Sequence, residues 1–251
     1  MFNKILVANR SEIAIRVFRA AQELHIPSVG IYSAEDRLTL HRFSTQEAYR
    51  VGEGKGPIEA YLDMADIIRI AKLSGADAIH PGYGFLSENP DFAHLCAESG
   101  ITFIGPSPEI MRRLGNKVEA RALAIEADVP VMPATRPYPD DGRHITRLAG
   151  EVGYPLMHKA SWGGGGRGMR VIEDESGLLE QVAAARREAA AAFGNDEVYL
   201  EKLVRNARHV EVQIMGDLHG QVVHVFERDC TVQRRHQKIC LLYTSDAADD
   251  N

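Results

Sequence analysis

The sequence predicts an α/β protein in two parts. Residues 1–108 read as a parallel sheet with helices packed on it, and residues 109–239 as an α+β region whose strands are mostly antiparallel. Three observations carry this reading. Short apolar runs alternate with amphipathic helical stretches through the first hundred residues, the pattern of repeated βαβ units. After residue 195 apolar and polar residues alternate at the period of strands. Between the two lies "KASWGGGGRGMRVI" (159–172), with four consecutive glycines set between two apolar runs.

The elements follow in order. "KILVANR" is a short apolar strand. In "SEIAIRVFRAAQEL", Ser11 offers an N-cap and Glu12 an acid in the first turn, while Ile13, Val17, Ala20, Ala21 and Leu24 recur at helical spacing. "SVGIYS" is a second strand after Pro27, "YLDMADIIRIAKLSG" an amphipathic helix ending at Gly75, and "ADAIHPGYG" a strand running into a turn. "FAHLCAESG" and "ITFIG" add one more helix and strand, and the first domain ends near Pro108. "PEIMRRLGNKVEARALAIEADVPV" supplies two helical pieces around Gly115. "GYPLMHKAS" and "GMRVIED" are strands on either side of the glycines, followed by the long Ala-rich helix "ESGLLEQVAAARREAAAAFG", closed by Gly194. "EVYLEKLV", "RHVEVQIMGD", "GQVVHVFERDC" and "TVQRRHQKI" are strands, with Asp217 to Gly220 as a hairpin turn.

Composition narrows the function classes. The chain has 251 residues, 45% of them hydrophobic and 25% charged, enough for a sizeable core. A net charge of −6 supplies no field for nucleic acid. The three cysteines, Cys96, Cys230 and Cys240, are odd in number and lack C-x-x-C spacing, which argues against a disulfide framework or a zinc site. No apolar run is long enough to span a membrane, and "MFNKILVANR" has no signal-peptide pattern. The expectation is a cytoplasmic protein with no membrane partner.

The glycines pose the functional question. Gly163, Gly165 and Gly168 spell G-x-G-x-x-G, but a dinucleotide fingerprint must open a helix, and here another strand pattern follows. A P-loop needs Lys-Ser/Thr after its last glycine, and Gly168 is followed by Met169. What remains is a glycine-rich hairpin tip. Its backbone N–H groups can converge on one anion with no Cβ in the way, and Lys159 beside it can add a point charge. The alternative is a merely flexible hairpin.

Several ordered motifs resemble the ATP-grasp biotin carboxylases, and in particular the N-terminal part of pyruvate carboxylases. They are "KILVANRSEIAIRVFRA", "DAIHPGYGFLSENP", "FIGPSPEIMRRLGNK", "KASWGGGGRGMRVI", "EVYLEKLV", "RHVEVQI" and "FERDCTVQRRHQK", spread over residues 3 to 239. The resemblance implies a Rossmann-like (pre-ATP-grasp) domain followed by an incomplete ATP-grasp domain. It also implies ATP- and bicarbonate-dependent carboxylation of biotin. Two alternatives stay open: the biotin carboxylase subunit of an acetyl-CoA or other acyl-CoA carboxylase, and a non-catalytic nucleotide-binding module.

Residue roles come from the same resemblance. Lys117 and Lys159 contact the nucleotide phosphates, covered by Gly163, Gly164, Gly165, Gly166 and Met169. Glu201, Lys202 and Leu203 form the adenine hinge, with the Glu201 carboxylate accepting from the amino group. His209, Gln233 and His236 lie at the nucleotide, and Lys238 is the catalytic cation at the bicarbonate site. Strand alternation puts His209, Glu211 and Gln213 on one face, which should line the cleft. Gln233 and His236 would lie on opposite faces of a regular strand, so a bulge or strand end is needed between them. Tyr83 and Glu88 sit in a turn after a strand's carboxyl end, where open α/β sheets take ligands, although a tight turn needing its glycines reads equally well. His158 brings a polar group to a strand position where an apolar one is expected.

The remaining expectations concern what the resemblance places elsewhere. Residues 240–251 have no counterpart in the family and read as foreign sequence, with Asp246, Asp249 and Asp250 a solvated tail and not a metal site. Ligands for Mg2+ or Mn2+, and the carrier domain bearing biotin, are expected outside this chain. The full-length enzyme is expected to be a homo-oligomer. This chain alone is expected to expose apolar strand surface, to be poorly soluble, and not to cleave ATP in a bicarbonate-dependent way.

Overall fold

The computed structural model describes residues 2–139, 141–161, 169–217, 219–234 and 237–238. The side chains of residues 192, 193, 234, 237 and 238 lie outside the description. Two compact units result, Met1–Gly115 and Asn116–Asn251.

The first unit is a five-stranded parallel sheet. Its strands are β1 (Ile5–Val7), β2 (Ser28–Tyr32), β3 (Glu47–Arg50), β4 (Ala78–His80) and β5 (Thr102–Phe103), in the order β3-β2-β1-β4-β5. Its helices are α1 (Ser11–Glu23), the single turn α2 (Leu40–Phe43), α3 (Met64–Ser74), α4 (Pro90–Glu98) and α5 (Pro108–Gly115). Alternation along β1 divides the core between the two faces of the sheet. Ile5 and Val7 pack with Ala14, Val17, Phe18 and Ala21 of α1. Leu6 and Ala8 pack with Ile67, Ile70 and Phe92 of α3 and α4. Leu6, Ile67, Ile70 and Phe92 are fully buried, each contributing about 1.5–3 kcal/mol of apolar transfer. Strands apolar on both faces are what a helix-covered parallel sheet requires.

Two expectations here are corrected. Ser11 does not cap α1 through its side chain; it opens the helix with φ +56°, after an extended Arg10. The strand β3 was not foreseen. Among the described residues "EAYR" is a half-buried edge paired only with β2, and its polar composition gives no core signal. Gly75 ends α3 as read, in the left-handed conformation at φ +72°, and the structure adds that Asn89 caps α4 with its side chain.

The second unit begins with α6 (Lys117–Glu126) and α7 (Gly142–Val152). Strands β6 (Leu156–Ala160) and β7 (Arg170–Ile172) precede α8 (Leu178–Phe193), and β8 (Val198–Lys202) follows. Strand β6 lies between β7 and β8, antiparallel to both. Ile145 and Ala149 of α7 and Leu178, Val182 and Ala189 of α8 cover one face of this sheet, against Leu156, Ala160, Ile172, Val198 and Leu200. Helix α7 went unread in the sequence, although Asp141 caps it and Ile145, Leu148, Ala149 and Val152 mark its apolar side.

Two further pairs complete the unit: β9 (Val210–Gly216) with β10 (Val222–Asp229), and β11 (Gln233–Arg234) with β12 (Gln237–Lys238). The first pair is the expected hairpin, closed by Asp217 N–H on the Gln221 carbonyl. The second corrects the expectation of one strand through "TVQRRHQKI". The segment pairs with itself, Gln233 opposite Lys238 and Arg234 opposite Gln237. Strand β11 ends at Arg234, next to Gln233; His236 lies outside the described residues.

Candidate nucleotide site

The site is built on the face of the β7-β6-β8 sheet that α7 and α8 leave uncovered. Along β6 the burial alternates: Leu156, His158 and Ala160 are buried toward the helices, and Met157 and Lys159 are half-buried on the other side. The register sets Lys159 opposite Tyr199 and Met157 opposite Glu201. Lys159 therefore lies diagonally across from Glu201 on the same face, and its ammonium donates to the Glu201 carboxylate. Side-chain exposures of 25% and 20% place the pair at the floor of an open surface, neither buried nor fully solvated. Tyr199 between them is buried, and burial first, with Glu201 adding to it, pushes its phenol well above the usual range.

Helix α6 reaches the same face. Asn116, 5% exposed, caps it by accepting from the N–H groups of Val118 and Glu119. The Lys117 N–H donates to the Ser161 carbonyl at 3.1 Å. Lys117 is thus tied to the residue that follows β6, two positions before the first glycine. Arg121, one turn along α6, acts electrostatically on Tyr199. Sequence reading missed Asn116, Tyr199 and Arg121. The pattern Asn116-x-x-Glu119 is a helix-start signal that could have drawn attention to the first.

Consecutive residues at the end of β8 go separate ways. Glu201 faces Lys159, while the Lys202 ammonium donates to the carbonyls of Gly153 and Tyr154 at 2.9 and 2.5 Å. The Leu203 N–H donates to the Pro155 carbonyl at 3.0 Å. The other edge of β8 is held by residues 133–135: Lys202 N–H reaches the Pro133 carbonyl, and the Thr135 N–H reaches that of Leu200. Met169 is half-buried just before β7. Gly163, Gly164, Gly165, Gly166 and His236 lie outside the described residues, as does the side chain of Lys238, whose backbone is in β12. The chain does run strand to strand across the glycines, from Ala160 to Arg170.

A second cluster gathers around His209, which immediately precedes β9. The Gln233 Nε2 lies 2.9 Å from His209 Nδ1 and 3.2 Å from the Cys230 carbonyl. The backbone of His209 is fixed as well, its N–H donating to Thr231 Oγ1 and its carbonyl accepting from Cys230 N–H. The Thr231 hydroxyl and the Arg208 guanidinium hold the Asp229 carboxyl well below its usual range. The structure thus joins His209 and Gln233. It does not leave Glu211 and Gln213 facing a cleft: Arg228 of β10 takes both, at 2.8 and 3.0 Å.

In the first unit the turn after β4 is held by its neighbour β1. Asn9, 3% exposed, donates to the carbonyls of Pro81 and Tyr83 at 2.7 and 2.8 Å. The Tyr83 hydroxyl donates to Glu12, and Asn9, Arg10, Ser11, Glu12, Tyr83 and Phe85 line a crevice of about 360 Å³ at the carboxyl ends of the strands. Glu88 is exposed. His158 is fully buried on the helix-covered face of β6, away from Lys159. No group of three or more His, Cys, Asp or Glu capable of holding a metal occurs among the described residues.

Comparison with known proteins agrees with this division. Residues 1–111 match the biotin carboxylase N-terminal domain, and residues 116–250 match the carbamoyl-phosphate synthase L chain ATP binding domain. The chain belongs to the biotin carboxylase branch of this ATP-grasp family. Among its relatives, pyruvate carboxylase of Bacillus subtilis is 56% identical over 236 residues, 94% of this chain and 21% of that protein. A structure of Rhizobium etli pyruvate carboxylase with the allosteric activator acetyl coenzyme A has a TM-score of 0.86 at 62% identity, over 94% of this chain and 21% of that one. The biotin carboxylase domain dimer of Hydrogenobacter thermophilus 2-oxoglutarate carboxylase, in complex with MgADP, ADP and bicarbonate, has a TM-score of 0.89 at 45% identity, over 95% of this chain and 52% of that one. The chain spans about a fifth of the length of the curated relatives it matches.

Proposed function

We propose that this chain supplies the nucleotide-binding part of a biotin carboxylase that carries out the first half-reaction of a pyruvate carboxylase. In that reaction ATP activates bicarbonate and the carboxyl group passes to biotin on a carrier domain. The observation that carries the reading is the Lys159–Glu201 pair on an open sheet face, one strand end away from the glycine-rich stretch. Phosphoryl transfer depends mainly on position and charge neutralisation, and Lys159 and Lys117 supply cations at that face. Glu201 accepts from the adenine amino group. Lys202 and Leu203 shape the hinge through the backbone. Met169 and the glycines 163–166 cover the phosphates, His209, Gln233 and His236 contact the nucleotide, and Lys238 steadies bicarbonate. The 56% identity to a pyruvate carboxylase supports pyruvate as the final acceptor.

The full enzyme is read as a homo-oligomer in a reducing compartment. Among the described residues no helix is long and apolar enough to cross a membrane. The cytoplasm is the proposed location; a rat relative is mitochondrial, so fractionation of the source cell decides between the two. Titration of the chain with ADP tests the nucleotide site directly. In the full-length carboxylase, Lys238→Met should abolish bicarbonate-dependent ATP cleavage while ADP still binds. Loss of ADP binding along with turnover would refute the assigned role of Lys238.

A further inference from the structure

We infer that Gln233 is a positioning residue that fixes His209 as a donor through Nε2. The argument begins at the Cys230 carbonyl, which can only accept a hydrogen bond. Gln233 approaches it at 3.2 Å, so the NH2 end of its amide must face that way. The second N–H of the same nitrogen lies 2.9 Å from His209 Nδ1. An amide NH2 has no acceptor lone pair to offer, so Nδ1 must be the unprotonated nitrogen. The neutral imidazole then carries its proton on Nε2. The backbone of His209 is held from both sides, by Thr231 and Cys230, so the ring has a fixed origin from which to point. In this arrangement Gln233, beyond any nucleotide contact of its own, also acts through His209, and the Nε2–H is presented to an acceptor oxygen of a bound nucleotide. That last step rests on the nucleotide reading above.

The test is NMR of the full chain labelled with 15N in histidine and glutamine side chains, with His209 assigned by loss of its signals in His209→Asn. Wild type should show unprotonated Nδ1, protonated Nε2, and a scalar coupling across the Gln233 N–H···Nδ1 bond. An exposed imidazole already leans toward this tautomer, so the variants discriminate. Gln233→Leu offers Nδ1 nothing and should give exchange-averaged ring nitrogens. Gln233→Glu offers only acceptors and should move the proton to Nδ1. Both variants lose the bond to Cys230, so that loss cancels between them. Ring signals identical in wild type and both variants, with no coupling, overturn the inference. The wild-type coupling needs no variant, so a variant that fails to fold leaves the test intact. Addition of ADP then separates the two readings: ring signals that behave as expected but ignore saturating ADP refute the nucleotide contact and leave the positioning role standing.

Discussion

The ammonium of Lys159 and the carboxylate of Glu201 lie on adjacent antiparallel strands, one diagonal step apart, and are hydrogen-bonded to each other. In the proposed site the first belongs to phosphate and the second to the base. Without a nucleotide each satisfies the other, so binding has to exchange this bond for two new ones.

Glu201→Gln removes the charge competing for Lys159. Affinity for inorganic tripolyphosphate should rise about tenfold, roughly 1.4 kcal/mol. ATP should gain less, because it loses the charged acceptor for its amino group. Calorimetric titration with both ligands checks this, and an equal gain for both would mean that Glu201 does not contact the base.

The first unit rests on a buried polar network. Asp36, 9% exposed, accepts from the Tyr61 hydroxyl at 2.8 Å and from Arg10 at 3.2 Å, and Arg10 also lies over the rings of Tyr61 and Phe85. Tyr61→Phe leaves a buried carboxylate short of a donor and should cost about 1–3 kcal/mol in urea unfolding. Combined with Arg10→Met it should show coupling of about 0.5–3 kcal/mol, because both act on Asp36.

Stability should fall as pH drops through 6.5. Burial pushes both His41 and His80 below their ordinary value. The unfolded chain therefore takes up protons near pH 6.5 that the folded chain refuses until lower pH, and this uptake favours unfolding. His80 Nδ1 also accepts from the Gly82 N–H, which requires it unprotonated. Urea midpoints measured at pH 7.5 and 5.5 should differ in that direction, and His41→Gln should reduce the difference.

Gly82→Ala should destabilise the turn after β4. The residue has φ +65°, and a Cβ there would lie 2.7 Å from Asn9 Nδ2. The left-handed backbone alone costs about 1–2 kcal/mol, and displacing Asn9 costs more. Thermal unfolding measures the total. A loss no larger than that backbone cost would show that Asn9 can move without penalty.

The β9–β10 pair should drive self-association. Val210, Val212, Ile214 and Val222 share one face by register and are 47–70% exposed. An isolated two-stranded ribbon is marginal, and open apolar edges recruit further strands. Light scattering of the chain should show concentration-dependent oligomers that Val212→Lys with Val222→Lys reduces. A monodisperse monomer from the unmutated chain would contradict this.

The parts of the fold legible in the sequence were those whose signal is local. Gly75 and Gly194 closed helices because only glycine takes a left-handed C-cap without strain, and β1, β2, β4 and β6 announced themselves as apolar runs. Strand β3 was invisible because its partner among the described residues is β2 alone and its side chains are half-solvated. Helix α7 was hidden by Gly142 and Gly150, which read as loop although Asp141 caps the helix. At the site, motifs gave Lys159, Glu201, His209 and Gln233 but not which of them meet. That Lys159 meets Glu201, or that Gln233 meets His209, depends on register and on a folded-back strand, and neither is written in local periodicity.

The alternation of Glu201 and Lys202 at the end of β8 also polices strand pairing. Because neighbouring residues point to opposite faces, a slip of one residue in one direction would bring the Lys202 ammonium against that of Lys159, and a slip in the other would carry the Glu201 carboxylate toward the carbonyls of Gly153 and Tyr154. Both encounters are repulsive. The charges that would serve the ligand in the correct register act as a proofreading device during folding, rejecting the misaligned sheet before any ligand arrives.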